Sequence, residues 1–226
     1  MPRNSVIDSS LFRHIGFDSS AITRLVQIVH PLTETGRRRL VSTRGGQPAG
    51  QVDFEVVDDS TAPASITVDL AAAGAQSADA CGALPCVRAG GHLVVPVGSG
   101  IDAWGAELSA GGKRPEWSTA ELQPGDLVSA TLMRPGSYRL QHAEASATVT
   151  VTYPKVLERP YRPEPPVHGR SSANSFAPAR IRLGPAGTLV VELRDGGPLS
   201  LRLVEPDDRP PPAITRPDVS EPSGAD

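Results

Sequence analysis

The sequence predicts a mainly β protein: an antiparallel β-sandwich with a short N-terminal helix, a proline-rich linker and an extra three-strand C-terminal unit. Three observations carry that expectation. Residues 124–154, PGDLVSATLMRPGSYRLQHAEASATVTVTYP, alternate apolar and polar side chains between turn signals, which is the period of half-buried strands. The 23 prolines and 22 glycines among 226 residues mark much of the rest as turn and linker. The apolar fraction is 38% with only 4% aromatic, so a core must be built from Val, Leu, Ile and Ala, types that suit strands.

Along the chain, Asp18, Ser19 and Ser20 offer helix caps, and Ile22, Leu25, Val26 and Val29 recur at i, i+3, i+4 and i+7. That spacing predicts one short amphipathic helix. Pro31 stops it, and residues 32–40 carry Arg37, Arg38 and Arg39 on a polar face. Residues 43–50, TRGGQPAG, read as a linker, so 1–50 is a helical arm and linker. The sandwich itself is expected over 51–154. Its strands begin with VDFEVV, where Val52, Phe54 and Val56 share a face, and include HLVVPV, which Pro96 restricts to an edge or a strand end. Residues 134–137 turn the chain within the hairpin, since Pro presets φ and Gly accepts φ > 0. Five prolines between 154 and 166 make 155–175 an extended connector. Residues 176–205 hold three short strands around two glycine turns, too few to stand alone, so they are expected to join the first sandwich or a partner's sheet edge. The polar, proline-rich 206–226 reads as a disordered tail.

The formal net charge is −3, which argues against nucleic acid as a partner. Charge is unevenly spread: residues 1–50 carry seven Arg against Asp8, Asp18 and Glu34, whereas 51–110 carry eight acidic residues against Arg88 alone. No apolar window approaches a membrane span and the N-terminus lacks a secretory apolar region, so a cytoplasmic location without membrane insertion is expected. Cys81 and Cys86 are the only cysteines. In a reducing cytosol they are expected to be ordinary thiols; a disulfide closing a short loop is the alternative and points to an oxidising compartment. His14, His30, His92, His142 and His168 occur singly, and no nucleophile elbow, P-loop or zinc spacing is present. No catalytic residue, metal or cofactor is therefore expected. Trp104 and Trp117 are expected in the core.

The stretch 176–200, FAPARIRLGPAGTLVVELRDGGPLS, resembles the opening half of a cupredoxin domain, and PGSYRL at 135–140 resembles that family's late hairpin. The two occur here in reversed order. The resemblance implies a sandwich in which copper ligands follow those strands, but Leu199 takes the place of a ligating histidine, and Gln141 and His142 follow the hairpin without a cysteine. The same hairpin is similar to the tyrosine corner of immunoglobulin-like domains, with Tyr138 expected to bond backbone at the corner.

The function expected is a non-enzymatic structural or protein-interaction module whose partner is another protein or a second copy of itself. Ile22, Leu25, Val26, Val29, Arg37, Arg38 and Arg39 are the candidate partner-binding residues. The alternatives are an atypical cupredoxin-like copper protein and an enzyme whose site is assembled from distant residues as a deep polar cleft.

Overall fold

A computed structural model describes residues 15–72, 74–77, 84–100, 102–111, 114–153 and 164–209, with the side chains of 74–77 left out. Residues 1–14 of the expected arm, Cys81, residues 155–163 of the expected linker and most of the expected tail lie outside the described residues. Among the described residues there are strands and turns and no helix. The strands are β1 (Gly16–Asp18), β2 (Val26–Leu32), β3 (Gly36–Arg44), β4 (Gln47–Val57), β5 (Ser65–Asp69), β6 (Gly74–Ser77), β7 (Cys86–Arg88), β8 (Gly91–Pro96) and β9 (Trp104–Ser109). They continue with β10 (Trp117–Ser118), β11 (Leu127–Leu132), β12 (Gly136–His142), β13 (Ala145–Val151), β14 (Val167–Ser172), β15 (Ser175–Ala177), β16 (Arg180–Leu183), β17 (Gly187–Leu193) and β18 (Leu199–Pro206).

Sheet I runs β15-β14-β17-β11-β2-β8-β5-β6, sheet II runs β10-β9-β3-β4-β7 and sheet III runs β1-β18-β12-β13-β16. Sheet II packs against the β8-β5-β6 half of sheet I, and sheet III against the β15-β14-β17 half. Strands alternate buried and exposed residues, as in β12 and β13, so each pair of layers closes over apolar side chains. The apolar interior forms a single cluster that includes Phe54, Trp117, Tyr138 and many Val, Leu and Ile residues.

Strand by strand, β1–β9 and β10–β18 repeat one pattern. Sheets II and III have the same order under the pairing of β10 with β1, β9 with β18, β3 with β12, β4 with β13 and β7 with β16, and sheet I reads as its own mirror image about the β2–β11 seam. Register confirms the match: Gly36 lies opposite Val56 as Gly136 lies opposite Val151, and the parallel pairs β4–β7 and β5–β8 recur as β13–β16 and β14–β17. The two repeats meet through antiparallel pairing of β2 with β11, where Val29 faces Leu127 and Ile28 faces Val128.

Each repeat gives its first strand to the other. β1 pairs with β18, placing Phe17 opposite Leu201, while β10 pairs with β9, placing Trp117 opposite Leu108. Both aromatic rings are buried, and burying such a side chain contributes about 1.5–3 kcal/mol. The crossings that follow are built alike. Ile22 bridges Trp104 and Leu122 bridges Gly197, and Leu25 and Gly125 both adopt positive φ, 74° and 92°.

The expected helix over the Ile22–Val29 stripe is absent because a period of two competes there with the period of 3.6. Val26, Ile28, His30 and Leu32 alternate inward along β2, and hydrogen-bonded neighbours on both sides, β8 and β11, outweigh a helical preference worth only tenths of a kcal/mol per residue. Pro31 is tolerated in this strand because β11 pairs only with Val26–Val29, so no seam hydrogen bond is lost. The expected boundaries also change. The span 51–154 contributes strands to both halves, β14 falls within the stretch read as linker, and β14–β18 share sheets with β11–β13.

Candidate functional site

A buried polar cluster lies where the first repeat meets the crossing from β10 to β11. The Gln123-Pro124-Gly125-Asp126 turn closes through the bond that the Asp126 amide donates to the Gln123 carbonyl, which carries the Asp126 side chain inside, fully buried. Its Oδ1 accepts from His30 Nδ1 at 2.7 Å, and its Oδ2 accepts from Trp117 Nε1 at 2.8 Å and from the Gln123 amide at 2.8 Å. The His30 ring lies 4.9 Å from the Trp117 ring, tilted by 31°. A carboxylate on Nδ1 assigns the proton to that nitrogen.

Beside this cluster Arg38 is buried on the inward side of β3. It donates to the carbonyls of Glu34 at 3.2 Å and Arg37 at 3.3 Å, and its Nε pairs with Glu116 Oε1 at 2.6 Å. The Gln123 side chain donates to the Glu116 carbonyl. His30, Thr33, Glu34, Arg38, Glu116 and Gln123 line a cleft of about 310 Å³.

The matching place in the other half of the molecule shows what this cluster replaces. At equivalent register Ala130 and Tyr138 of the second repeat stand for His30 and Arg38, and Val26 and Phe17 of the first stand for Asp126 and Trp117. Tyr138 donates its hydroxyl to the carbonyl four residues back, Arg134, at 2.6 Å, and burial pushes its pKa up. Arg38 reaches the carbonyl four residues back as well, that of Glu34. Arg38 therefore does the corner's work in the first repeat, with Glu116 balancing its charge. The corner role expected for Tyr138 is seen directly.

A second buried pair sits in the other half. His142 Nδ1 and Ser171 Oγ are 2.6 Å apart, both residues are fully buried, and His142 Nε2 has no hydrogen-bond partner among the described residues. His142 lies directly opposite Leu199, so the two positions at which the cupredoxin resemblance implies ligands do meet. The donor set there is one imidazole, a serine hydroxyl and an isobutyl group, which does not fit a copper ion. No group of three or more His, Cys, Asp or Glu among the described residues could hold a metal.

The residues singled out from the sequence do not converge on one surface. Ile22 and Val26 are core, and Leu25 and Val29 are half-buried in the crossing and the seam. Arg37 and Arg39 project outward from β3 and share Asp53, at 2.8 Å from Arg37 Nη2 and 2.7 Å from Arg39 Nε. Those hydrogen bonds, Arg39 first and then Arg37, hold the Asp53 carboxyl far below the usual carboxylate range. Cys86 is buried and disulfide-bonded, which overturns the expectation of ordinary thiols.

The outward face of sheet III is different in kind. Gly16, Arg202, Arg139, Thr148 and Arg180 lie in one row across its strands, and Arg182 sits one outward step along β16, in register with Thr150. All four arginines are exposed. None of them has an ion pair among the described residues, whose pairs engage Arg37, Arg38, Arg39, Arg44, Arg134, Arg170, Arg194 and Arg209. Separate positions in the sequence, 139, 180, 182 and 202, hid this face, because only the strand register brings them together. Comparisons with protein-family models, curated proteins and solved structures return no match for this chain.

Proposed function

We propose that this chain is a non-enzymatic protein-interaction module, a double β-sandwich that presents a sheet face to a partner protein. The disposition of charge carries the reading. Inside, His30, Arg38, Asp126 and Glu116 are bound to one another or to backbone, whereas the outer face of sheet III offers four arginines with no internal counterion. Capture from the native source, with the tagged chain as bait and mass spectrometry as readout, should recover one protein reproducibly; recovery of none above background, even after cross-linking, would sink the reading.

We also propose a cupredoxin-like strand plan for the second repeat, because the two resembling segments lie in one sandwich and bring His142 and Leu199 into register. The bonded Cys86 favours an oxidising compartment over the cytoplasm. One observation favours the enzymatic alternative, the cleft beside His30. Any turnover assigned to it must vanish in His30→Ala while persisting in Arg139→Gln.

A further inference from the structure

We infer that the outward face of sheet III binds a carboxylate-rich polypeptide, an Asp- and Glu-rich segment of a partner protein. This rests on the interaction reading above and adds the partner's chemistry and the residues that meet it.

The first repeat supplies the comparison. Arg39 and Arg139 occupy equivalent positions, three residues into β3 and β12 from Gly36 and Gly136. Arg39 faces Asp53 across to β4 and grips both carboxylate oxygens, Nε to Oδ1 at 2.7 Å and Nη2 to Oδ2 at 3.1 Å. That is the bidentate fork for which guanidinium geometry is suited. At the position of Asp53 the second repeat has Thr148, facing Arg139, and at that of Glu55 it has Thr150. Two carboxylates are thus replaced by hydroxyls.

Positive charge rises where negative charge is removed. Ser109 faces Arg39 in sheet II, and its counterpart facing Arg139 is Arg202. Arg180 faces Thr148 from the other side, and Arg182 faces Thr150. With strands about 4.8 Å apart, Arg202 and Arg139 stand roughly 5 Å from each other and Arg180 roughly 10 Å from Arg139 along the row. Like charges placed directly across a sheet repel, and here no internal acid separates them. Asp18 and Glu205 lie at the margins of the face, opposite Ser200 and Ser137.

A partner carboxylate seated over Thr148 would do for Arg139 what Asp53 does for Arg39. The hydroxyls of Thr148 and Thr150 leave room and offer further donors. A segment with acids spaced along an extended chain matches a row of arginines at strand spacing. Polynucleotide is the weaker match: besides Gly16 and the marginal Asp18 and Glu205 the rows hold Arg, Ser, Thr and Gln, with no aromatic ring on which bases could stack, and the chain as a whole is acidic.

The test is fluorescence anisotropy of a labelled oligoglutamate peptide titrated with the full chain. Binding is expected, weakening as salt is raised. Arg139→Gln with Arg180→Gln should weaken it about tenfold or more, and Thr148→Asp should do the same by furnishing the acid internally. Arg37→Gln with Arg39→Gln, on the face already neutralised, should leave it unchanged. All substitutions are at exposed positions, and circular dichroism checks that each variant folds. No binding, equal binding by all variants, or tighter binding of a short DNA duplex or an anionic vesicle with the same arginine dependence would overturn the inference. If the Arg139→Gln, Arg180→Gln chain still captures the same native protein as the parent, the interaction reading stands and this face is not its site.

Discussion

Replacing Asp126 with Ala removes the acceptor for three donors at once: His30 Nδ1, Trp117 Nε1 and the Gln123 amide. Each buried donor left without a partner costs about 1–3 kcal/mol. His30 is 7% exposed, so its ring can turn partly to water, whereas Trp117 is 2% exposed and cannot. Gln123 is half-buried and its amide loses the carboxylate that braces the turn, while the backbone bond that closes the turn remains. The three losses together should therefore come to about 3–5 kcal/mol. For a chain of this length each kcal/mol lowers Tm by about 2–4 °C, which gives a drop of roughly 6–20 °C. Urea and thermal unfolding followed by far-ultraviolet circular dichroism measure it without relying on Trp117 fluorescence. Because the partners share one acceptor, Trp117→Phe should cost less in the Asp126→Ala background than alone. A loss under about 1 kcal/mol with the two substitutions strictly additive would refute the idea that Asp126 pins the crossing to both neighbours.

Gly16 has φ +154°, and a Cβ there would lie 2.0 Å from the Leu201 carbonyl oxygen, so Gly16→Ala should loosen β1 from β18 and lower stability by about 1–3 kcal/mol, seen as a lower urea midpoint. Arg38→Tyr should restore the corner found at Tyr138 and leave stability within about 1 kcal/mol of the parent, whereas Arg38→Ala should cost clearly more; equal losses would contradict the corner role. Asp53 has its pKa depressed in the folded state, so its contribution is present above the ordinary carboxylate pKa and is lost as pH falls below it. Asp53→Asn should accordingly flatten the decline in Tm between about pH 4 and pH 2, and an unchanged acid profile would remove the ion pairs with Arg37 and Arg39 from the account.

Much of the strand content is legible in the sequence, and its arrangement is not. The hairpin around Pro135 and Gly136, the corner at Tyr138 and the burial of Trp104 and Trp117 follow from turn chemistry and side-chain size. The strand β2 is not legible because Ile22, Leu25, Val26 and Val29 fit a helical period while Val26, Ile28 and Leu32 fit a strand, and only pairing with β8 and β11 decides between them. The repeat left a trace in GHLVVPV at 91–97 against GTLVVEL at 187–193, and in TGRRRL at 35–40 against PGSYRL at 135–140. It is thin because what the repeats share is the apolar part of the inward face, while the outward positions have diverged from Asp53 to Thr148 and from Ser109 to Arg202 and the inward ones around His30, Arg38 and Asp126 have become polar. Contacts such as His30 with Asp126, 96 residues apart, depend on the crossing of β10 into the other half, and no local spacing encodes them.

The exchange of first strands is the feature on which the rest depends, since it places Trp117 beside His30 and sets Gly16 at the end of the arginine row. Backbone nuclear Overhauser effects on isotope-labelled protein test it directly. The account predicts contacts from Phe17 to Leu201 and from Trp117 to Leu108; contacts from Phe17 to Leu108 instead, with Trp117 against Leu201, would mean that each repeat keeps its own strand and would contradict it.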